Sequence, residues 1–239
     1  MSFRIRILFN DQARQTDLAI GIGFSALIGD NLLFDTGNNG ISLLANMEIL
    51  GIDPMGINAV VISHDHWDHT GGLCDLLAMK PGITVYGAPG FGEELKRKIT
   101  LNDGVFIPCA EYRQIGPGIL LTGEMPGYYK GAYLAEQAMV LETENGISII
   151  TGCAHPGIVN IVDRVTEHLS TENLYSIVGG FHMKHHTKEE LKRVFDDLEA
   201  RDIALFVPMH CTGEKAIRAF VNRFGEKTRT LKSGDILEI

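Results

Sequence analysis

Apolar residues along this chain fall into short runs, separated by stretches in which they recur at helical spacing. Arg4 to Phe9 alternates polar and apolar, the period of a strand. Phe24 to Ile28 and Leu32 to Phe34 read as a hairpin turned by Gly29-Asp30-Asn31. Leu43, Leu44, Met47 and Leu50 share one helical face, which Gly51 closes. Ala59 to Ile62 is a short apolar run of the buried-strand kind.

The second half repeats the plan. Ala138 to Leu141 and Ile147 to Ile150 flank Asn145-Gly146, a strong hairpin signal. A helix carrying Ile158, Ile161, Val162, Val165 and Leu169 follows, with Pro156 near its start. Leu174 to Val178 is the next strand. Thr187 and Glu190 form a capping-box pattern ahead of Leu191, Val194, Phe195 and Leu198. Ala204 to Val207 is a further strand and Ala216 to Phe224 a further helix. Strands alternating with helices predict an α/β fold. "ALIGDNLLFDTG" and "MVLETENGISIITGC" echo one another, which fits two similar α/β layers packed sheet against sheet. No linker or low-complexity segment interrupts the 239 residues, so one domain spanning 1–239 is expected.

Composition narrows the function classes. With 45% hydrophobic and 21% charged residues, the chain can bury a core and needs no metal to fold. Any metal is then expected to serve chemistry. No run approaches the roughly 20 apolar residues of a membrane span, and Met1 to Asn10 lacks the apolar stretch of a signal peptide. Cys74, Cys109, Cys153 and Cys211 form no C-x-x-C pair, which points to a reducing cytoplasm. A net charge of −9 argues against nucleic acid as a partner.

Nine histidines are the informative feature. Four apolar strands run into histidine-bearing loops, at His64, at Cys153 and His155, at His182, and at Met209-His210. Ligands of open α/β sheets gather outside the carboxyl ends of strands, so these loops are expected to converge. The densest element is His64-Asp65-His66-Trp67-Asp68-His69. A helix would point His64 and His66 about 200° apart, so a loop must carry them. Imidazole and carboxylate suit zinc, which takes about four ligands. His64, His66, Asp68 and His69, joined by His155 and His210, exceed one such shell, so two divalent ions are expected. Cys153 is a candidate ligand or a small buried residue. His182 is a candidate for contact with substrate. Asp35, ending the strand before Thr36-Gly37, is read as a carboxylate that orients a ligand histidine. His185 and His186 are expected in solvent, and His168 is expected late in a helix where its charge suits the dipole. Lys184 and Lys215, beside strand-end loops, would attract an anionic small-molecule substrate.

The H-x-H-x-D-H of His64 to His69, with Thr70-Gly71-Gly72-Leu73 after it, resembles the metallo-β-lactamase superfamily. The resemblance covers nearly the whole chain and implies a four-layer αβ/βα sandwich with a dinuclear site between the sheets. It implies His64, His66 and His155 on one ion, and Asp68, His69 and His210 on the other. "TGEMPG", "TGCAHPGIVNIV", "GGFHM" and "MHCTGEKA" resemble the branch of 7,8-dihydropterin-6-ylmethyl-4-(β-D-ribofuranosyl)aminobenzene 5′-phosphate synthase. Two departures stand out. No histidine lies between His69 and His155, and Cys153 stands where a bridging Asp is usual. Gly127 follows Pro126 where the branch tends to carry Arg.

The expected function is a metal-dependent hydrolase that activates water against an ester or phosphoester, since zinc brings the pKa of bound water to about 7. Asp68 and His182 are the expected catalytic side chains. The alternative is a transferase condensing a dihydropterin diphosphate with ribofuranosylaminobenzene 5′-phosphate. A di-iron redox protein fits less well, because that subfamily carries Glu at the position of His66. A non-enzymatic metal scaffold would need no open coordination position.

Overall fold

Two β-sheets lie face to face in the computed structural model, which describes residues 1–239, and helices cover the outer side of each. The first sheet is built from β1 (Arg4–Phe9), β2 (Ser25–Ile28), β3 (Leu32–Phe34), β4 (Ala59–Val61), β5 (Thr84–Gly87) and β6 (Val105–Pro108). The second takes β7 (Arg113–Gly116) and β8 (Ile119–Leu121). Next comes a separate hairpin of β9 (Met125–Tyr129) and β10 (Ala132–Glu136). β11 (Met139–Thr143), β12 (Gly146–Thr151), β13 (Leu174–Gly180) and β14 (Leu205–Met209) complete the second sheet, and β15 (Ile236–Glu238) returns to the first. The strand orders are β15-β1-β2-β3-β4-β5-β6 and β14-β13-β12-β11-β8-β7.

Helices α1 (Gly40–Ile49), α2 (Trp67–Thr70), α3 (Leu73–Met79) and α4 (Glu93–Leu101) belong to the first half. In the second half α5 (Ile158–Leu169), α6 (Lys188–Glu199) and α7 (Glu214–Phe224) cover the outer face. The capping box at Thr187 and Glu190 forms as the sequence predicts, with both reciprocal hydrogen bonds present.

The sequence echo is a structural one. β2 and β3 pair antiparallel and β3 pairs parallel with β4 across α1. β11 and β12 pair antiparallel and β12 pairs parallel with β13 across α5. Period-two alternation then sends apolar side chains to both sides of each sheet. Ala26, Ile28, Phe34 and Val61 pack against Met139, Leu141, Ile150, Val178 and Val207 between the sheets. Leu27, Leu33 and Val60 face the other way, into a core with Leu43, Met47, Leu73 and Leu77 from the helices. Ile149, Ile177 and Phe206 meet Ile161, Val165, Phe195 and Phe220 on the far side. Three apolar layers between four layers of structure make the predicted αβ/βα sandwich.

The elements between residues 73 and 136 carry weaker patterns, and the separate β9–β10 hairpin has no counterpart in the sequence reading. Its last residue, Glu136, forms an antiparallel bridge with His64. The N–H of Gln137 donates to the carbonyl of Ser63 at 2.8 Å. This short crossing ties the hairpin to the end of β4, at the mouth of the cleft between the sheets.

Candidate metal centre

Asp35, His64, Cys153 with His155, His182 and His210 follow the carboxyl ends of β3, β4, β12, β13 and β14. The predicted convergence of these loops is present. Sharp turns at the strand ends are needed to bring them in, and Asp35, Ala154, His182 and His210 all have positive φ, between 49° and 59°. Non-glycine residues adopt that conformation at a cost that surrounding structure must hold in place.

The histidine-rich motif is part loop and part helix. His66 is extended, with φ −100° and ψ 148°, and caps α2, whose single turn carries Asp68 and His69. The loop expected for the whole cluster holds only as far as His66: extended backbone brings His64 and His66 together, and one helical turn swings Asp68 and His69 round beside them. The loop is fastened to the Asp35-Thr36-Gly37 segment. The N–H and Oγ1 of Thr36 both donate to the carbonyl of His69, at 2.8 and 2.9 Å. Gly71 and Gly72 allow this approach, because a Cβ there would lie 2.1 Å from the carbonyl oxygen of Asn38 and 2.4 Å from that of Thr36.

A buried hydrogen-bond network assigns the histidine tautomers. Asp35 is fully buried. Its Oδ1 accepts from the N–H of Ser63 at 2.7 Å, and its Oδ2 from the Ser63 hydroxyl at 2.7 Å and from His69 Nδ1 at 2.7 Å. Because Ser63 Oγ donates to Asp35, it accepts from His64 Nδ1, 2.9 Å away. Glu136, equally buried, accepts from His155 Nδ1 at 2.7 Å. All three imidazoles therefore donate from Nδ1 and turn Nε2 inward, the arrangement that supporting carboxylates impose on metal-binding histidines.

The inward atoms crowd together. His64 Nε2 is 3.1 Å from His66 Nδ1, and His69 Nε2 is 3.2 Å from His210 Nε2. Cys153 Sγ is 3.3 Å from His69 Nε2, and Asp68 Oδ2 is 3.4 Å from His210 Nε2. His155 Nε2 is buried with no hydrogen-bond partner. Nitrogens facing one another at this range need a proton or a metal cation between them, and His69, charged beside Asp35, supplies a proton where no ion is bound. Ligands about 2.0–2.1 Å from a tetrahedral zinc stand about 3.3 Å apart, which these separations match. The donor atoms fall into groups spanning no more than 4.8 Å. One is His64, His66 and His155; another is Asp68, His69 and His210. Cys153 groups with His64 and His69, and also with His210 and Cys211, so it sits between the two sets. The residues fit a metal centre.

Charge follows the same layout. Burial works against ionisation of Asp68, but contacts with His210 and His69 hold its carboxyl down to about 2. Burial also opposes charge on His69, yet the Asp35 carboxylate raises it to about 9. Burial and the neighbouring His155 lower His66 to about 4. Burial pushes the Cys153 thiol well up.

A cavity of about 540 Å³ opens onto these groups, walled by His66, Asp68, Cys153, His155, His182 and His210 and rimmed by Trp67, Ile22, Tyr129, Lys130 and Lys184. His182 Nδ1 is buried without a partner, and its ring lies 4.4 Å from that of His155. Lys184 is in the cavity wall as expected. Lys215 is not; it reaches the carbonyl of His186 at 3.4 Å. His185 is exposed at the rim and His186 half-buried, while His168 stacks on Tyr112 at 3.5 Å, away from the cleft. Gly127, the departure from the branch pattern, presses against His155, where a Cβ would come within 2.9 Å of the histidine Cβ. Three participants carried no signal of their own. Glu136 lies in a hairpin with no metal-type spacing, Tyr129 looks like any exposed aromatic, and Cys211 was overshadowed by His210.

Residues 30–113 match the family model described as the beta-lactamase superfamily domain. An uncharacterized protein of Methanocaldococcus jannaschii is 30% identical over 226 residues, covering 82% of this chain and 85% of that protein. A solved structure described as a metal-dependent hydrolase of the beta-lactamase superfamily superposes with a TM-score of 0.81 at 29% identity, over 99% of both chains. This chain belongs to the metallo-β-lactamase superfamily. It is also similar to the 7,8-dihydropterin-6-methyl-4-(beta-D-ribofuranosyl)-aminobenzene-5'-phosphate synthase of Methanocaldococcus jannaschii, at 27% identity over 88% of this chain and 85% of that protein. The metallo-β-lactamase fold is thus present from end to end, whereas the matched family model stops well before His155 and His210. No helix of the superfamily scaffold here is long and apolar enough to cross a membrane.

Proposed function

We propose that this protein is a metal-dependent hydrolase with a dinuclear, zinc-type centre that acts on an ester or phosphoester of a small anionic molecule. The observation that carries the reading is the inward turn of Nε2 on His64, His69 and His155, enforced by Asp35, Ser63 and Glu136. His64, His66 and His155 would hold one ion, and Asp68, His69 and His210 the other, with Cys153 adjacent to both sets. Bound there, the ions would acidify a water and polarise a carbonyl or phosphoryl oxygen.

The chain's own residues supply the rest. Asp68, ionised at neutral pH and facing the cavity, orients the attacking water by accepting its hydrogen bond. His182, whose pKa is raised by its contact with Cys211, stands at the cavity wall to donate a proton to the leaving group. Lys130 and Lys184 offset the charge of an anionic substrate. Trp67 and Tyr129 offer apolar faces to its body. Four free thiols fit a reducing cytoplasm.

Similarity to the dihydropterin synthase favours a second reading, transfer of a dihydropterin to ribofuranosylaminobenzene phosphate with loss of diphosphate. One experiment addresses both. Protein purified without chelator is analysed for metal and assayed against phosphoesters, lactams, thioesters and pterins. Hydrolysis, lost together with metal in His66→Ala, is the expected result. Full metal content in that variant counts against the ligand assignment. Pterin transfer without hydrolysis of any panel member replaces the first reading with the second.

A further inference from the structure

Cys211 enters the proposed reaction only as a neighbour of His182, yet it also sits beside Cys153 at the floor of the cleft. The two follow β12 and β14, which flank β13. Between them β13 ends in Gly179-Gly180, so no side chain stands in the way. The Cys211 sulfur occupies the space a side chain at 180 would take, since a Cβ on Gly180 would fall 2.6 Å from it. Cys211 Sγ is 3.7 Å from the carbonyl oxygen of Cys153. The sulfurs of Cys153 and Cys211 and the facing His210 nitrogen lie within 4.8 Å of one another. Both thiols line the 540 Å³ cavity, so a small molecule in solvent reaches them. Cys153 is 3% exposed and Cys211 more open. Cys74 and Cys109 are absent from the cavity wall.

We propose that Cys153 and Cys211 form a reversible intramolecular disulfide, with hydrogen peroxide as the oxidant. Cys211, the more open thiol, attacks one peroxide oxygen; the O–O bond breaks, water leaves, and the sulfur becomes a sulfenic acid. Cys153 then attacks that sulfur. The S–S bond forms, the S–O bond breaks and a second water leaves. Each sulfur gives up one electron in the net reaction, peroxide accepts both, and the two thiol protons end in water. Closure brings the sulfurs to about 2.05 Å and ties up the Cys153 sulfur that stands 3.3 Å from His69 Nε2. Where Cys153 contributes to the metal centre, oxidation then removes that contribution; this consequence rests on the reading given above, while the disulfide does not.

The test is peptide mapping of the intact protein after brief treatment with hydrogen peroxide. Thiol titration should fall from four per chain to two, a Cys153–Cys211 linked peptide should appear, and dithiothreitol should restore all four. Cys211→Ser should give no linked peptide and leave Cys153 free or carried to higher oxides. Metal content of the same samples keeps the two ideas apart. A linked peptide in protein that binds no metal supports the pair and removes the metal assignment. Metal-loaded and metal-stripped protein that both show sulfinic acid at Cys211, and no link, overturns the pair.

Discussion

Glu136 Oε2 receives both the backbone N–H and the ring Nδ1 of His155, at 2.8 and 2.7 Å. Its other oxygen receives the N–H groups of Cys153 and Ala154, at 3.1 and 2.7 Å. One buried carboxylate from a peripheral hairpin therefore shapes the whole loop after β12. In Glu136→Gln one oxygen becomes an amide that cannot accept. We expect metal affinity to drop by about 10–100-fold, as for other groups that orient metal-bound histidine, and the melting temperature to fall. Metal titration alongside a thermal melt checks this. Unchanged affinity would make Glu136 a purely structural brace.

Asp35 joins His69 directly and His64 through Ser63. Asp35→Asn keeps the volume but places an amide where one or more of these donors needs an acceptor. The tautomer of His69 then loses its anchor. We expect the fold to persist and metal affinity or activity to weaken by about 10–100-fold. Calorimetric titration of the variant reads the outcome, and parent-like binding would reduce Asp35 to a turn residue.

The metal-free protein should be most stable near pH 6.5. His66 is depressed to about 4 from 6.5, so its contribution is complete above 6.5 and is lost as pH falls through about 4. His64 shifts in the same direction. His69 is raised to about 9, so its contribution is complete below 6.5 and is lost as pH rises through about 9. Thermal melts in chelator across that range should trace a dome. His66→Gln should flatten the acid limb and Asp35→Asn the alkaline one. A melting temperature that climbs steadily from pH 6.5 to 9 contradicts the His69–Asp35 part.

Cys153 stands 3.3 Å from His69 Nε2, inside three of the donor groups. A thiolate beside a divalent ion binds at about 2.3 Å. Cobalt-substituted parent protein should show a thiolate-to-metal charge-transfer band, and Cys153→Ser should lose the band and affinity for one ion. With no band in the parent and unchanged stoichiometry in the variant, His155 would be the one ligand from this loop.

Much of this arrangement is legible in the sequence. The His64 to His69 cluster is local, so its side chains stay neighbours in whatever fold forms. The apolar periods of β1 to β4 and β11 to β14, the Asn145-Gly146 turn and the capping box at Thr187 are likewise set by neighbours a few positions apart. These signals sufficed to predict strand-end loops and their convergence, and a carboxylate at Asp35 in contact with a histidine of the cluster. Tertiary structure decided what depends on long-range packing. Only the face-to-face sheets bring His155 and His210 to His64 and His69. Only the crossing of residues 136–137 over the end of β4 puts Glu136 behind His155. Only the bare backbone of Gly180 leaves room for Cys211 beside Cys153. The reason is physical: a periodic pattern records which face of an element is buried, but not which distant element covers it. A buried carboxylate or thiol acquires its role from whatever packing places against it.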